Sequence, residues 1–187
     1  MTVSLTSLEH SGRVIWITGL SGVGKSSLAR EVVARLRASG VAVVMLDGDE
    51  LREVFGAAGT NAQNYSREGR LALAMQYGRL CRTIAAQGLT VVVATISLFK
   101  EIHEWNRATL PGYFEIYLKA PIDELRRRDP KGIYRRFDAG ELTHVAGLDL
   151  PIDEPEAADW VVEFRSERSE ETLATELIGI LNKKVGE

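Results

Sequence analysis

The sequence predicts a doubly wound parallel α/β sheet of five strands, flanked by helices and closed by a lid. Three observations lead to this class. Short apolar blocks typical of buried strands alternate with helical patterns along the chain. A glycine-rich phosphate-binding pattern follows the first apolar block. The length of 187 residues suits one domain with a proper core, so we expect residues 1–187 to form a single unit.

The phosphate-binding pattern is Gly-Leu-Ser-Gly-Val-Gly-Lys-Ser-Ser at residues 19–27. A strand at residues 13–18 precedes it and a helix to about residue 39 follows, which is the context that a P-loop requires. Glycines let backbone amides surround an anion at the helix N-terminus, while Lys25 can reach the β- and γ-phosphates and Ser26 can ligate Mg²⁺. The pattern predicts a nucleoside triphosphate site formed by Gly19, Ser21, Gly22, Val23, Gly24, Lys25, Ser26 and Ser27.

The other elements follow from apolar blocks and helical spacing. We expect buried strands at residues 41–46, 90–97 and 114–120, a short final strand at 160–164, and helices at 50–55, 66–87, 100–110, 121–128 and about 173–181. Residues 1–12 are polar and are interpreted as a leader, and residues 56–64 as a mobile loop. Residues 129–159 lack a sustained period and carry many charges, which favours a lid and acceptor region.

Composition and charge exclude several classes of protein. With 23 basic and 26 acidic side chains the net charge is −3, which argues against a nucleic-acid partner. No signal peptide and no membrane-length apolar run occur, so we expect a cytoplasmic protein without a membrane partner. The single Cys81 excludes an internal disulfide and is interpreted as a packing residue. His10, His103 and His144 are too scattered for a metal site. His144, near the lid, is interpreted as a surface residue, with contact to an acceptor as the alternative.

Two further strand ends carry polar side chains, Asp47-Gly48-Asp49 and Thr95-Ile96-Ser97. Ligands of an open parallel sheet gather at this edge. Asp47 can hold Mg²⁺ through water, and Asp49 can accept a proton from an attacking hydroxyl. Arg52, one helical turn later, can pair with an anionic group of the acceptor. Lys25, Asp49 and Asp47 are therefore the candidate catalytic residues, with a polar turn capping a helix as the alternative for the two carboxylates.

Six cations lie within eleven residues at positions 126–136, in a chain that is acidic overall. A solvated, charged helix end is the usual meaning of such a run. Because a phosphate site is already predicted, cations that close over it are the second interpretation, with Arg128 and Lys131 as the candidates for nucleotide binding.

Four segments together resemble the adenylylsulfate (APS) kinase family: GLSGVGKSS, LDGDELR, RRDPKGIYRRFDAGE and GLDLPIDEPEAADW. The resemblance runs from about Val14 to the last helix. It implies the P-loop kinase fold, a homodimer, and transfer of phosphate from Mg-ATP to the ribose 3′-hydroxyl of APS. It also implies an acceptor site at Asp49, Arg52, Tyr65, Arg70, Ile96, Ser97, Lys131, Gly132, Ile133 and Val145.

The chain departs from the family pattern at positions that the resemblance assigns to the acceptor. Leu73, Met75 and Leu98 stand where the family has Asn, Arg and Pro, and Val145 stands where an aromatic residue stacks on the acceptor's adenine. Tyr65 preserves the opposite stacking face. We therefore expect weak use of APS. The chain also resembles kinases that phosphorylate cytidine diphosphoramidate in capsule modification, with which it shares Ala-Thr-Ile-Ser, so both acceptors remain open.

Other nucleotide-binding classes fit less well. A regulatory GTPase needs Asn-Lys-x-Asp, but the only Asn-Lys pair, at residues 182–183, is followed by Lys-Val. A motor-type ATPase needs an acidic pair at the end of a central strand, which residues 91–97 lack. A non-catalytic nucleotide-binding module remains an alternative, because a phosphate loop alone indicates binding only.

Overall fold

One parallel sheet forms the centre of the molecule in the computed structural model, which describes residues 12–58, 62–164 and 168–185. Its strands are β1 (Arg13–Gly19), β2 (Val43–Asp47), β3 (Thr90–Thr95), β4 (Phe114–Lys119) and β5 (Trp160–Glu163). Their spatial order is β2-β3-β1-β4-β5, and every neighbouring pair is parallel. The predicted five-stranded doubly wound sheet is confirmed.

The helices connect these strands and cover both faces of the sheet. They are α1 (Lys25–Ala38), α2 (Gly48–Val54), α3 (Arg67–Ala85), α4 (Lys100–Thr109), α5 (Ile122–Arg128), α6 (Ile133–Asp138) and α7 (Glu170–Val185), with a 3-10 turn at Ala62–Tyr65. Helix α3 is capped by Ser66, whose Oγ accepts a hydrogen bond from the Gly69 amide at 3.1 Å. None of these described helices is long and apolar enough to cross a bilayer.

The two faces of β1 build two separate cores. Ile15 and Ile17 pack with α1 and α7 on one face, whereas Val14 and Trp16 pack with α3 and α4 on the other. Successive strand residues point to opposite faces, so a strand covered by helices on both sides is apolar at every position. All four of these side chains are fully buried. This rigid centre fixes the strand ends that carry the polar residues.

Three local expectations were wrong. β2 was expected to be buried, but its residues are half-buried because it forms an edge of the sheet. Residues 62–64 of the expected loop form a 3-10 turn together with Tyr65. Helix α6 lies within the stretch where no period was found; it spans only six residues, and the Asp129 carboxylate accepts hydrogen bonds from the amides of Tyr134 and Arg135 in its first turn. Residues 1–11 of the expected leader and residues 59–61 of the expected loop lie outside the described residues.

Candidate active site

The carboxyl ends of β1, β2 and β3 open into a cavity of about 860 Å³. Seventeen of the predicted site residues line it: Ser21, Gly22, Gly24, Lys25, Ser26, Ser27, Asp47, Asp49, Arg52, Tyr65, Arg70, Ile96, Ser97, Arg128, Lys131, Ile133 and Val145. The other three are placed elsewhere. Gly19 lies against the Leu118 carbonyl, Val23 lines a smaller neighbouring cavity, and Gly132 caps α6.

The phosphate loop is built by local backbone geometry. Gly22 and Gly24 adopt φ of 78° and 105°, a left-handed conformation that a side chain would strain. Helix α1 begins at Lys25, so its first amides face the cavity end of the loop. Lys25 Nζ donates to the Leu20 carbonyl at 2.8 Å. Burial, and then repulsion by Lys131, lowers the pKa of Lys25 to about 7, against the attraction of Asp49 and Asp47.

Asp47 joins the phosphate loop to the end of β2. Its Oδ2 accepts from Ser26 Oγ at 2.5 Å, and its Oδ1 accepts from the Asp49 amide at 2.9 Å. The second bond caps α2, so the helix-cap interpretation is correct for Asp47. A hydroxyl and a carboxylate in direct contact, beside a phosphate loop, supply the hard oxygen ligands that Mg²⁺ prefers. Ser26 and Asp47 therefore fit the predicted metal site.

The segment that follows α5 lies over the phosphate loop. A Cβ placed on Gly22 would come within 3.3 Å of Pro130 Cδ, and Tyr134 Oη donates to the Ser21 carbonyl at 3.0 Å. Lys131 Nζ forms an ion pair with Asp49 Oδ2. Since both side chains are at least half exposed, this pair is screened by water and contributes little stability. Lys131 is thus held at the site by a contact that a phosphate group can replace.

Carboxylates pair with most of the basic run at positions 126–136. The ion pairs are Arg126–Asp138, Arg127–Glu124, Arg128–Glu124 and Arg136–Glu141. The solvated-surface interpretation is therefore correct for Arg126 and Arg127, which do not line the cavity. Arg128 does line it, and its guanidinium lies 4.2 Å from the centre of the Phe164 ring.

A second cavity of about 330 Å³ adjoins the phosphate loop on the α7 side. Its walls combine the apolar side chains of Val23, Leu173 and Phe164 with Arg128 and Glu170. Apolar surfaces with a stacked guanidinium suit a planar aromatic group, and the carboxylate can accept a hydrogen bond from its edge.

The opposite half of the large cavity is built around Tyr65. The guanidinium groups of Arg52 and Arg70 lie 4.8 and 5.4 Å from the centre of its ring. Arg70 Nε donates to the Tyr65 carbonyl at 2.9 Å and its Nη2 donates to the His144 carbonyl at 2.8 Å. Burial, and then the charge of Arg52, lowers the pKa of Arg70 to about 10. An aromatic face beside two cations is suited to a nucleotide, which carries both a base and an anionic group.

Three of the four departures from the family pattern lie in this half. Leu73, Leu98 and Val145 line the cavity, and each side chain is less than 10% exposed. Met75 does not line it; this side chain packs against the core beneath α3, so its assignment to the acceptor was wrong. Beside them β3 ends in a turn that holds Ser97 at φ 30°, a strained value for a serine.

The two described histidines lie in different environments. His144 was interpreted as a surface residue with contact to an acceptor as the alternative; it is half-buried and lines the cavity. The buried environment of His103, with Nδ1 2.7 Å from Glu115 Oε1, was not predicted. A signal for this pair existed, because Glu115 interrupts the apolar strand β4 and a buried carboxylate requires partners. The described residues contain no cluster of acidic, Cys and His side chains suited to a metal.

Comparison with known proteins agrees with this geometry. The adenylylsulphate kinase family model matches residues 11–163. A cytidine diphosphoramidate kinase of Campylobacter jejuni is 37% identical over 80% of this chain and 85% of its own length. An adenylyl-sulfate kinase of Picosynechococcus is 36% identical over 79% of this chain and 81% of its own length.

Among solved structures, the Mycobacterium tuberculosis APS kinase in complex with AMPPNP and APS has a TM-score of 0.83 at 32% identity. The match covers 92% of this chain and 98% of that one. Family model, curated relatives and fold agree with one another. This chain belongs to the adenylylsulphate kinase family.

Proposed function

We propose that this protein is an ATP-dependent kinase that transfers the γ-phosphate to the ribose 3′-hydroxyl of a nucleotide acceptor, as an APS kinase does. Its family membership makes it an ATP-dependent phosphotransferase acting on small-molecule nucleotides. The observation that carries the finer assignment is that a single cavity contains both the phosphate loop and the Tyr65 site, with Asp49 in the same lining. Phosphate donor and nucleotide acceptor therefore share one space.

The donor half binds and polarises the triphosphate. The loop amides and Lys25 receive the phosphate oxygens, and the low pKa of Lys25 rises again when those anions arrive. Ser26 and Asp47 would hold Mg²⁺, which neutralises charge on the phosphates when it is bound. Arg128, Val23 and Phe164 in the smaller cavity would receive the adenine ring.

The acceptor half orients the hydroxyl. Asp49 would accept its proton during transfer, which requires that Lys131 leave the Asp49 carboxylate. We propose that Lys131 moves to the transferred phosphate when ATP binds, so that residues 129–159 act as the lid. Arg52 and Arg70 would contact the acceptor's anionic end, and Tyr65 would stack on its base.

A cytidine nucleotide, such as cytidine diphosphoramidate, is the second candidate acceptor. The observation that favours it is the apolar wall of Leu73, Leu98 and Val145, which offers few polar contacts and no second aromatic face. A pyrimidine loses less than a purine when one stacking face is absent.

We also propose that the protein acts as a homodimer in the cytoplasm. Exposed apolar side chains at Val54, Phe55 and Val161 are compatible with association between copies. Light scattering on the purified protein tests the oligomeric state, and a monomeric mass would contradict it.

The decisive experiment measures ATP consumption against a panel that contains APS and cytidine diphosphoramidate, with the phosphorylated position mapped in each product. We expect transfer to the 3′-hydroxyl of at least one of them. ATP binding without transfer to any nucleotide would instead indicate a non-catalytic binding module.

A further inference from the structure

His144 is held by its backbone in a conformation that few side chains adopt. Its φ is 59°, in the left-handed region that favours glycine. The Asp149 carboxylate accepts from the His144 amide at 2.7 Å and from the Val145 amide at 2.6 Å. On the other side, Arg70 donates to the His144 carbonyl. A strained residue fixed at both its amide and its carbonyl presents its side chain in one direction.

The Asp149 carboxylate is well suited to this holding role. Partial burial raises its pKa, but hydrogen bonds from the amides of His144 and Val145 outweigh burial and keep the pKa below its usual value. The carboxylate therefore stays charged and continues to accept both bonds near neutral pH.

One guanidinium group sets the distance between His144 and the aromatic face of the cavity. Nε and Nη2 of Arg70 donate to the carbonyls of Tyr65 and His144, two residues that lie far apart in the sequence. The loop that carries His144 is thereby fixed beside Tyr65. Tyr65 and His144 both line the cavity, so a base held at the Tyr65 ring and the imidazole share one space, in which the polar atoms of the base lie along its edge.

The imidazole ring has one nitrogen available for such an edge. His144 Nδ1 lies 3.1 Å from Thr143 Oγ1, and no hydrogen bond with the rest of the described chain involves Nε2. Whichever nitrogen carries the proton, Nε2 can donate to a ring nitrogen or carbonyl, or accept from an exocyclic amino group.

We propose that His144 is a specificity-determining residue that reads the edge of the acceptor's nucleobase through Nε2, with Asp149 and Arg70 as its positioning residues. This inference rests on the proposed function, because it assigns a role within the acceptor half. It adds a polar contact to a wall whose other members, Leu73, Leu98 and Val145, are apolar.

Two variants separate the effect of the His144 side chain from the effect of the strained backbone. His144→Gly removes the imidazole at a φ that glycine adopts readily, and His144→Asn keeps a polar side chain that tolerates the same φ. The probes are AMP, CMP and UMP, which share the phosphate and differ in the base, titrated into the protein loaded with Mg-AMPPNP. We expect His144→Gly to weaken the preferred nucleotide by about fivefold to tenfold, the value of one hydrogen bond, and His144→Asn to recover part of the loss.

Imidazole ¹H–¹⁵N spectra provide a readout that a purely structural role would not change. The sequence has three histidines, and His103, paired with Glu115 away from the cavity, is the internal control. We expect the signal assigned to His144 by its loss in His144→Gly to shift when the nucleotide binds, while that of His103 stays fixed.

Equal affinity of the wild type for the three nucleotides, no binding, or an unshifted His144 signal would overturn the proposal. The results distinguish a failure of the His144 proposal from a failure of the proposed kinase function. If the protein transfers phosphate but His144→Gly keeps the base preference, the role of His144 is wrong and the kinase function stands. If base preference depends on His144 but no acceptor is phosphorylated, the kinase function is wrong and the role of His144 stands.

Discussion

The donor half of the cavity, called the phosphate half below because it contains the phosphate loop, and the acceptor half around Tyr65 are built in different ways. Within the phosphate loop the contacts are short-range in sequence: Lys25 bonds to Leu20, and glycine conformations set the loop. In the acceptor half Arg70 bonds to His144, 74 residues away. The loop is encoded by one continuous motif, to which Asp47 and Tyr134 are added by packing, whereas the acceptor half exists only after distant segments have packed together. We therefore expect a change of acceptor to come from substitutions in the acceptor half.

The halves also differ in chemistry. Polar and charged groups of the phosphate loop converge with Asp47 and Asp49, as phosphate transfer requires. The acceptor half combines two arginines with an apolar wall. We therefore expect substitutions in the phosphate half to cause large losses of transfer rate with every acceptor. Substitutions in the acceptor half should have smaller effects that depend on the acceptor.

The largest effect is expected at Lys25. Lys25→Ala should abolish measurable transfer to every acceptor, a loss of at least about 10²–10³-fold, because Lys25 stabilises charge rather than packing. Steady-state rates measure the loss, and circular dichroism checks that the fold is intact. Lys100→Ala is the matched control, since Lys100 pairs with Glu104 on an exposed helix and should keep full activity. Near-normal turnover of Lys25→Ala would show that the phosphate loop is not the catalytic site.

Substitutions of the two carboxylates at the end of β2 should affect ATP binding and phosphate transfer differently. Asp49→Asn should keep ATP affinity and lower kcat by about 10²–10⁴-fold, the usual effect of losing a proton acceptor. Asp47→Asn should mainly weaken the dependence on Mg²⁺ and should leave the stability of α2 unchanged, because the side-chain oxygen of Asn can still accept a hydrogen bond from the Asp49 amide. ATP binding and Mg²⁺ titrations measure both variants. The proton-acceptor role is wrong if Asp49→Asn retains most of its rate.

Restoring the family residues at two positions of the acceptor half should raise activity toward APS and leave the phosphate half unaffected. Val145→Phe combined with Leu73→Asn should improve kcat/KM for APS by tenfold or more if each contact restores about 1 kcal/mol, and should leave the KM for ATP unchanged. Both side chains line the cavity, so a larger ring at position 145 can extend into it. Met75→Arg is the control, because the half-buried Met75 does not line the cavity and this change should leave kcat/KM for APS unchanged. Efficient use of APS by the unmodified protein would refute this prediction.

The smallest effect concerns pH. With a pKa of about 7, Lys25 is mostly neutral at pH 8 in the ligand-free protein. Phosphate anions favour its charged form, so ATP binding at pH 8 should take up a proton, and affinity should fall by at most about tenfold per pH unit above pH 7. Below pH 7 the lysine is already charged and the uptake should vanish.

Calorimetry in two buffers with different ionisation enthalpies measures this uptake. Lys25→Arg is the control, because a guanidinium stays charged at pH 8 and should bind ATP without uptake. Identical heats for the wild type in both buffers at pH 8 would contradict the lowered pKa.

The sequence by itself determined the sheet, the phosphate loop and the polar strand ends. Each depends on local patterns: apolar runs such as Val14–Ile17, glycines at fixed spacing, and caps such as Ser66. The expectation that the lid moves, and the roles of individual site residues, remain predictions. Helix α6 was missed because six residues are too few for a helical period, and Asp129, which accepts hydrogen bonds from its first turn, sits in a charged stretch.

Only the tertiary structure decided which residues form the acceptor wall. The family resemblance placed Leu73 and Met75 together in the acceptor site, but Leu73 lines the cavity and Met75 does not. The position of His144 depends on Asp149 and on an arginine from α3, so its contact with the cavity could not be decided from the sequence. A helical or strand period reports which face is buried, but not whether that face meets a core or a cavity. That distinction arises only when separate elements pack, which is why local patterns identified the phosphate loop, whereas most of the acceptor residues were identified by the family resemblance.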